Sequence, residues 1–288
     1  MAPQDLRERP LRSVLYVPAS NERAIDKARS LPCDVVFLDL EDAVAPDAKD
    51  RARANAVEAV RAGGFGQRLV MIRCNHLSSA WGADDFAAAA EAGPDAVLAP
   101  KVSDADELMA CERALEKAPA HTGLWAMIET ARAVMHLREI AECSRASRLQ
   151  AFICGCNDLM LELRCRKVPD RAPLLPALAL SVAAARANGL LVFDGVFNDF
   201  SDSEGFEAEC RQAADFGFDG KTLIHPSQID ACNRIFSPAP EKVEWAKKVV
   251  AAFAAPEAEG KGVLSLDGKM IERLHLVEAR RVLAAAGA

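Results

Sequence analysis

The chain has 288 residues, 51% of them hydrophobic and 6% aromatic, and a formal net charge of -7. That composition supplies the core of one large helix–sheet domain, and its alanine-rich, aromatic-poor balance argues against an all-β sandwich. An acidic chain without a dense basic run excludes nucleic acid and anionic membrane surfaces as general partners. The start is polar, and no apolar run reaches the roughly 18–20 residues of a membrane span, so a cytoplasmic location is expected. Nine cysteines without C-x-x-C spacing then read as reduced thiols, most of them buried filler.

In chain order, Arg12–Pro18 is an apolar strand stopped by proline, and Ser20 or Asn21 can cap the helix after it. Asp34–Leu40 is a second buried strand running into Glu41 and Asp42, and a helix over Asp47–Arg61 stops at Gly63-Gly64. Leu69–Arg73 is the third strand, with Arg73 and Asn75 at its end, followed by an alanine-rich helix over Asp84–Ala92. Ala96–Ala99 ends in Pro100-Lys101, and Ser103 with Asp106 caps the next helix. The fifth strand, Leu124–Ile128, ends in Glu129 and precedes a helix over Ala131–Ala141. Ala151–Cys154 leads to Asp158, read as a strand tip, and a longer loop precedes a helix over Leu175–Ala187. Leu190–Phe193 leads to Asp194 and a helix over Ser203–Phe216; Gly220–Leu223 is followed by Ile224-His225-Pro226.

Eight strand–helix units with non-alternating, fully apolar strands predict an α/β fold, a (β/α)8 TIM barrel over residues 11–236. A doubly wound sheet would need a glycine phosphate-binding fingerprint, and none occurs. Residues 237–288 hold two helices, Glu241–Ala254 and Glu272–Ala286, around a glycine-flanked turn containing Asp267. This tail has no place inside a closed barrel, so it packs outside, covers the mouth or reaches a neighbouring subunit.

Polar groups gather at the strand ends: Glu41, Asp42, Arg73, Lys101, Glu129, Asp158, Asp194 and His225. Convergent carboxylates on Glu129 and Asp158 suit a hard divalent cation, Mg²⁺ or Mn²⁺ in its place, with substrate oxygens and water completing the shell. The competing reading makes both residues helix caps. Glu41 and Asp42 orient metal-bound water or pair with Lys101 or Arg73. Arg73, a charge ending an apolar strand, suits a carboxylate or a developing oxyanion, or a buried ion pair with Glu41 or Asp42. His225 reads as a general base or, better in its I-H-P context, as a turn histidine.

R-S-V-L-Y-V-P at the start, D-L-E-D-A-V at Asp39–Val44, the strand-end Arg73, Pro100-Lys101, I-E-T at Ile128–Thr130, G-x-x-D at Gly155–Asp158 and G-K-T-L-I-H-P-S-Q-I at Gly220–Ile229 occur in that order. Over nearly the whole chain the sequence thereby resembles the citrate lyase β-subunit-like proteins of the HpcH/HpaI aldolase type, a group that includes malyl-CoA and citramalyl-CoA lyases. The resemblance implies Mg²⁺ on Glu129 and Asp158, with Arg73, Lys101 and Glu129 beside a CoA-thioester substrate. It also implies a homotrimer or homohexamer whose C-terminal lid carries Asp267, as acid/base, over a neighbour's site.

The activity implied is retro-Claisen cleavage of a 3-hydroxyacyl-CoA into an acyl-CoA and a 2-oxo acid. Arg73 would stabilise the oxyanion and Asp267 would protonate the enolate carbon. The loop after Asp158, E-L-R-C-R-K-V-P-D-R-A-P, departs from the glycine- and serine-rich sequence common in the family. It resembles a subgroup with (3S)-malyl-CoA thioesterase activity, the alternative outcome. Its cations Arg164, Arg166, Lys167 and Arg171 are candidates for the CoA phosphates. A third reading is a non-catalytic subunit of a citrate lyase-like assembly.

Overall fold

The computed structural model describes residue 6, residues 9–255 and residues 260–287. Eight strands, β1 (Ser13–Pro18), β2 (Val35–Asp39), β3 (Leu69–Arg73), β4 (Ala96–Ala99), β5 (Gly123–Ile128), β6 (Leu149–Cys154), β7 (Leu191–Asp194) and β8 (Gly220–Leu223), pair in parallel in sequence order. β8 also pairs with β1, which closes the barrel. The helices between them are α1 (Glu22–Ala28), α2 (Lys49–Ala62), α3 (Gly82–Ala92), α4 (Ala105–Ala114), α5 (Ala131–Met135), α6 (Leu137–Glu142), α7 (Cys156–Glu162), α8 (Leu175–Ala187) and α9 (Ser203–Phe216). The chain then continues through α10 (Ile229–Phe236), α11 (Pro240–Ala254), a hairpin of β9 (Val263–Leu266) and β10 (Lys269–Glu272), and α12 (Arg273–Ala286). The (β/α)8 barrel inferred from the strand pattern is the fold observed.

Two packed layers hold it. Between strands and helices lies a large apolar layer in which Ala52, Ala56, Ala89, Ala133 and Ala185 let helices approach the strands closely. Inside the barrel Phe37, Trp125 and Phe193 pack together. Trp125 stacks on Phe193 at 4.8 Å, and Phe37 meets Trp125 edge-on at 6.2 Å. A separate small core joins α11, β10 and α12 through Val249, Ile271, Ala279 and Val282.

Local chemistry explains most element ends. Asn21 caps α1 by accepting from the Ala24 N–H, and Gly63, at φ 63°, ends α2. The cap of α4 differs from the Ser103 and Asp106 pair expected. Asp104 accepts the Glu107 N–H, and the Glu107 carboxylate accepts the Ser103 N–H at 2.8 Å. A carboxylate is the stronger acceptor at the positive end of a helix, so the cap moves by one residue. The helix expected over Ala131–Ala141 breaks at His136, whose backbone leaves helical geometry. The turn at Asp267 is real, but it joins two strands that the sequence pattern did not reveal. Asp267 and Gly268 have φ 49° and 75°, the positive pair that an Asp-Gly hairpin turn needs.

Candidate active site

The site begins where β2 and β3 end. Asp39 and Arg73 are register partners at the last rungs of those strands. Arg73 grips Asp39 with two parallel hydrogen bonds, Nε to Oδ1 at 2.6 Å and Nη2 to Oδ2 at 2.7 Å. Its remaining edge, Nη1, lies 2.8 Å from Glu41 Oε2 and 3.5 Å from Asp42 Oδ2. The ion pair expected for Arg73 is therefore present, but its main partner is Asp39 rather than Glu41 or Asp42. Three carboxylates against one guanidinium leave negative charge over, and Lys101 meets it with Nζ 2.6 Å from Glu41 Oε1. Even so, burial holds the Glu41 carboxyl above the ordinary range, against the pull of Arg73 and Lys101.

The loop carrying Glu41 and Asp42 is tied down from beneath. Buried Lys49 spends its three donors on Leu40 O, Glu41 O and Asn75 Oδ1, at 2.7, 2.8 and 2.7 Å. Asn75 in turn donates to Leu40 O and to Asp85, which Arg53 holds. No sequence signal marked Lys49, because a lysine in a first helical turn reads as a surface charge.

Glu129 sits just past β5 and is fully buried. One oxygen, Oε1, accepts the Lys101 N–H at 2.7 Å. That contact pins Lys101 at φ 52°, a left-handed conformation that residues with side chains rarely adopt. The other oxygen, Oε2, is buried without a hydrogen-bond partner. Burial first, then the nearby Glu41 and Asp158 carboxylates, push the Glu129 carboxyl up to about 8. Gly155 faces it, and a Cβ at that position would collide with the Glu129 carboxylate.

Asp158 is not at a strand tip as expected. It lies one turn further on, in the first turn of α7, and lines the same cavity as Glu129. Neither carboxylate is a helix cap: Thr130 caps α5 and Gly155 precedes α7.

The cavity has a volume of about 310 Å³ and lies at the C-terminal ends of the strands, where TIM-barrel sites form. Tyr16, Asp39, Asp42, Arg73, Glu129 and Asp158 line it. Among the described residues no group of three or more His, Cys, Asp or Glu forms a metal cluster. Mg²⁺ needs no such group. One buried, unpartnered carboxylate oxygen plus a second carboxylate on the same cavity, opposite a glycine that leaves room, fits a cation that keeps water and substrate oxygens in its shell.

Other expected residues lie elsewhere. Asp194 is not part of the cavity wall. It is locked between Lys221, Nζ 2.6 Å away, and Arg171, Nη1 2.8 Å away, with Glu209 2.6 Å from the same lysine. Burial alone would raise Asp194, but Lys221 and then Arg171 outweigh it and hold the carboxyl below its ordinary value. Arg171, one of the loop cations considered for CoA phosphates, is thus already paired with fixed acidic partners, as a buried guanidinium requires. It also lines, together with Arg166 and Lys167, a second cavity of about 430 Å³ beside the first. His225 is the turn histidine: its ring accepts the Ser227 N–H and stacks on Phe200 at 4.8 Å. Asp267 sits on the exposed hairpin, 2.8 Å from Lys248, and is not a wall of its own chain's cavity.

Against known proteins, the HpcH/HpaI aldolase/citrate lyase family matches residues 12–226. The chain belongs to that family. Among relatives, a (3S)-malyl-CoA thioesterase from Cereibacter sphaeroides is 47% identical over 279 residues, which cover 97% of this chain and 95% of that one. The citrate lyase subunit beta of Escherichia coli is 35% identical over 290 residues, covering 98% and 95%. The solved structure of CitE from Mycobacterium tuberculosis in complex with magnesium, acetoacetate and coenzyme A superposes with a TM-score of 0.76 at 30% identity, covering 98% of this chain and 100% of that chain. Family membership therefore embraces the C-terminal helices as well as the barrel. No helix among the described residues is long and apolar enough to cross a membrane.

Proposed function

We propose that this family member is a Mg²⁺-dependent enzyme that hydrolyses the thioester of (3S)-malyl-CoA to malate and free CoA. The observation that carries this reading is the likeness to (3S)-malyl-CoA thioesterases at 47% identity along 97% of the chain. The reading puts thioester hydrolysis ahead of the C–C cleavage that the sequence motifs favoured. Retro-Claisen cleavage to a 2-oxo acid and an acyl-CoA is the second reading, supported by the full-length match to citrate lyase β-subunits.

Both reactions ask the same things of the site. Glu129 and Asp158 would hold Mg²⁺, which supplies Lewis-acid polarisation of the acyl group's oxygens. Arg73, held rigid by Asp39, turns its Nη1 edge toward the cavity and stabilises negative charge on the carbonyl oxygen. Lys101 positions Glu41 by a 2.6 Å contact and, through its N–H, orients Glu129. Glu41 and Asp42 provide acceptors that orient water at the rim. In hydrolysis, water adds to the thioester carbonyl, the C–S bond breaks, and the sulfur leaves as CoA thiolate, which takes up a proton.

The acid/base is Asp267 of a neighbouring copy in a homotrimer or homohexamer. Two features support that role. Asp267 does not reach the cavity of its own chain. In addition, Val263, Met270, Leu274 and Val277 are exposed around the hairpin and α12, an apolar surface that a second copy would cover. Residues 11–236 would then form the catalytic barrel and residues 237–288 the exchanged lid.

The test is product analysis with purified chain, malyl-CoA and Mg²⁺. Malate plus free CoA supports hydrolysis, and glyoxylate plus acetyl-CoA supports cleavage. Turnover by the chain alone excludes a purely non-catalytic subunit, and turnover of neither kind removes both enzymatic readings.

A further inference from the structure

A phenol stands on the cavity floor. Tyr16, the only tyrosine in the chain, projects from β1 into the cavity. Its ring packs on Phe37 at 5.0 Å and lies under the Arg73 guanidinium, 4.9 Å from ring centre to Cζ. Its hydroxyl has a single hydrogen-bond partner, the thioether sulfur of Met127 at 3.9 Å. Arg73 Nη1 contacts that same sulfur at 3.8 Å. Two good donors thus converge on one weak acceptor, carried by the most adaptable of apolar side chains.

We propose that the Tyr16 hydroxyl and Arg73 Nη1 form a two-donor cradle for the thioester carbonyl oxygen of the substrate, at the position that the Met127 sulfur now holds. The methionine yields, and the oxygen takes both hydrogen bonds. Burial and the surrounding carboxylates raise the phenol's pKa, so it stays protonated and available to donate. The second donor matters because Arg73 gives Nε and Nη2 to Asp39 and shares Nη1 with Glu41, 2.8 Å away. A single Nη1 contact would leave the developing oxyanion underserved in a site this buried.

The proposal rests on the CoA-thioester reading, and two experiments separate them. Tyr16→Phe removes only the hydroxyl. The expected result is a loss of about 100-fold in kcat with KM changed less than about threefold and an unaltered Tm, as for removal of one oxyanion donor. A kcat within twofold of wild type overturns the cradle. The second readout needs no turnover. With fluorotyrosine at the lone tyrosine, acetyl-CoA plus Mg²⁺ shifts the single fluorine resonance, and CoA lacking the acyl group does not. An equal response to both, or none to either, overturns the role of Tyr16. A wild-type chain inactive on malyl-CoA would remove the substrate assignment and leave the fluorine titration to decide the cradle.

Discussion

Two buried charge clusters sit on opposite sides of this barrel, and they are built to different rules. On the β7–β8 side, Lys221 divides its three donors among Asp194 Oδ2, Gly195 O and Glu209 Oε1, each at 2.6 Å, while Arg171 covers Asp194 and Gln212. Every charge there has a partner, and Asp194 is driven toward its ionised form. On the β2–β5 side, Glu129 Oε2 is buried without any hydrogen bond, and the Glu41 and Glu129 carboxyls are driven toward the neutral form. A satisfied network stabilises the fold, whereas a buried carboxylate oxygen without a hydrogen bond gives the fold nothing in return for its desolvation. The polar strand ends look alike in sequence, yet only the second cluster borders the cavity lined by Tyr16 and Asp158.

The sharpest break in that comparison comes from Glu129→Gln. We expect turnover to fall by about 10³-fold or more, with Tm equal to or above wild type, because the change removes a carboxylate that the fold alone does not satisfy. A large loss of stability would show that Glu129 belongs to the structural class. The mirror experiment is Lys221→Met. It leaves Asp194 and Glu209 to share Arg171 as their one cationic partner and should cost about 3 kcal/mol in denaturant unfolding. If activity fell while stability held, the β7–β8 cluster would have to be counted with the site.

Asp267→Asn should lower the rate by about 100-fold without changing Mg²⁺ affinity. Co-expressed with Glu129→Gln, it should recover part of the activity, because a mixed oligomer can unite an intact Glu129 with a neighbour's intact Asp267. Failure to complement would place the acid/base within one chain. The smallest effect is on metal binding. With the Glu129 carboxyl at about 8, a proton competes with Mg²⁺ at neutral pH. Affinity should rise by about tenfold per pH unit below 8 and flatten above it, as titration calorimetry at several pH values would show. An unchanged slope in Glu129→Gln would assign that proton to another group.

Much of the fold was legible before any coordinates. Leu69–Arg73, Ala96–Ala99, Gly220–Leu223, Leu175–Ala187 and Ser203–Phe216 occupy the spans that their apolar runs and stop signals imply. The hairpin of β9 and β10 was hidden because its strands are largely exposed and lack the continuous apolar run of the barrel strands, and glycines interrupt the surrounding stretch. Asp158 was misplaced because one helical turn after a strand looks, in sequence, like more strand end. The site was legible as a set of charged strand ends but not as a sorting of them. Asp194 and Asp39 are both strand-terminal aspartates, one in a structural lock and the other gripping the arginine of the site.

What the sequence by itself determined is therefore the alternation of buried strands and capped helices, the closed barrel it implies, and a set of charged strand ends. These follow from local rules, with continuous apolar runs for covered parallel strands and capping groups and glycines for helix ends. Only the tertiary structure decided which charges neutralise one another. The partners lie far apart in the chain, as Arg73 does from Asp39 and Lys221 from Asp194, and the free energy of a buried charge depends on every group brought within hydrogen-bond reach. The orphaned oxygen of Glu129, the outward-turned Asp267 and the two donors sharing the Met127 sulfur exist only once the barrel has closed.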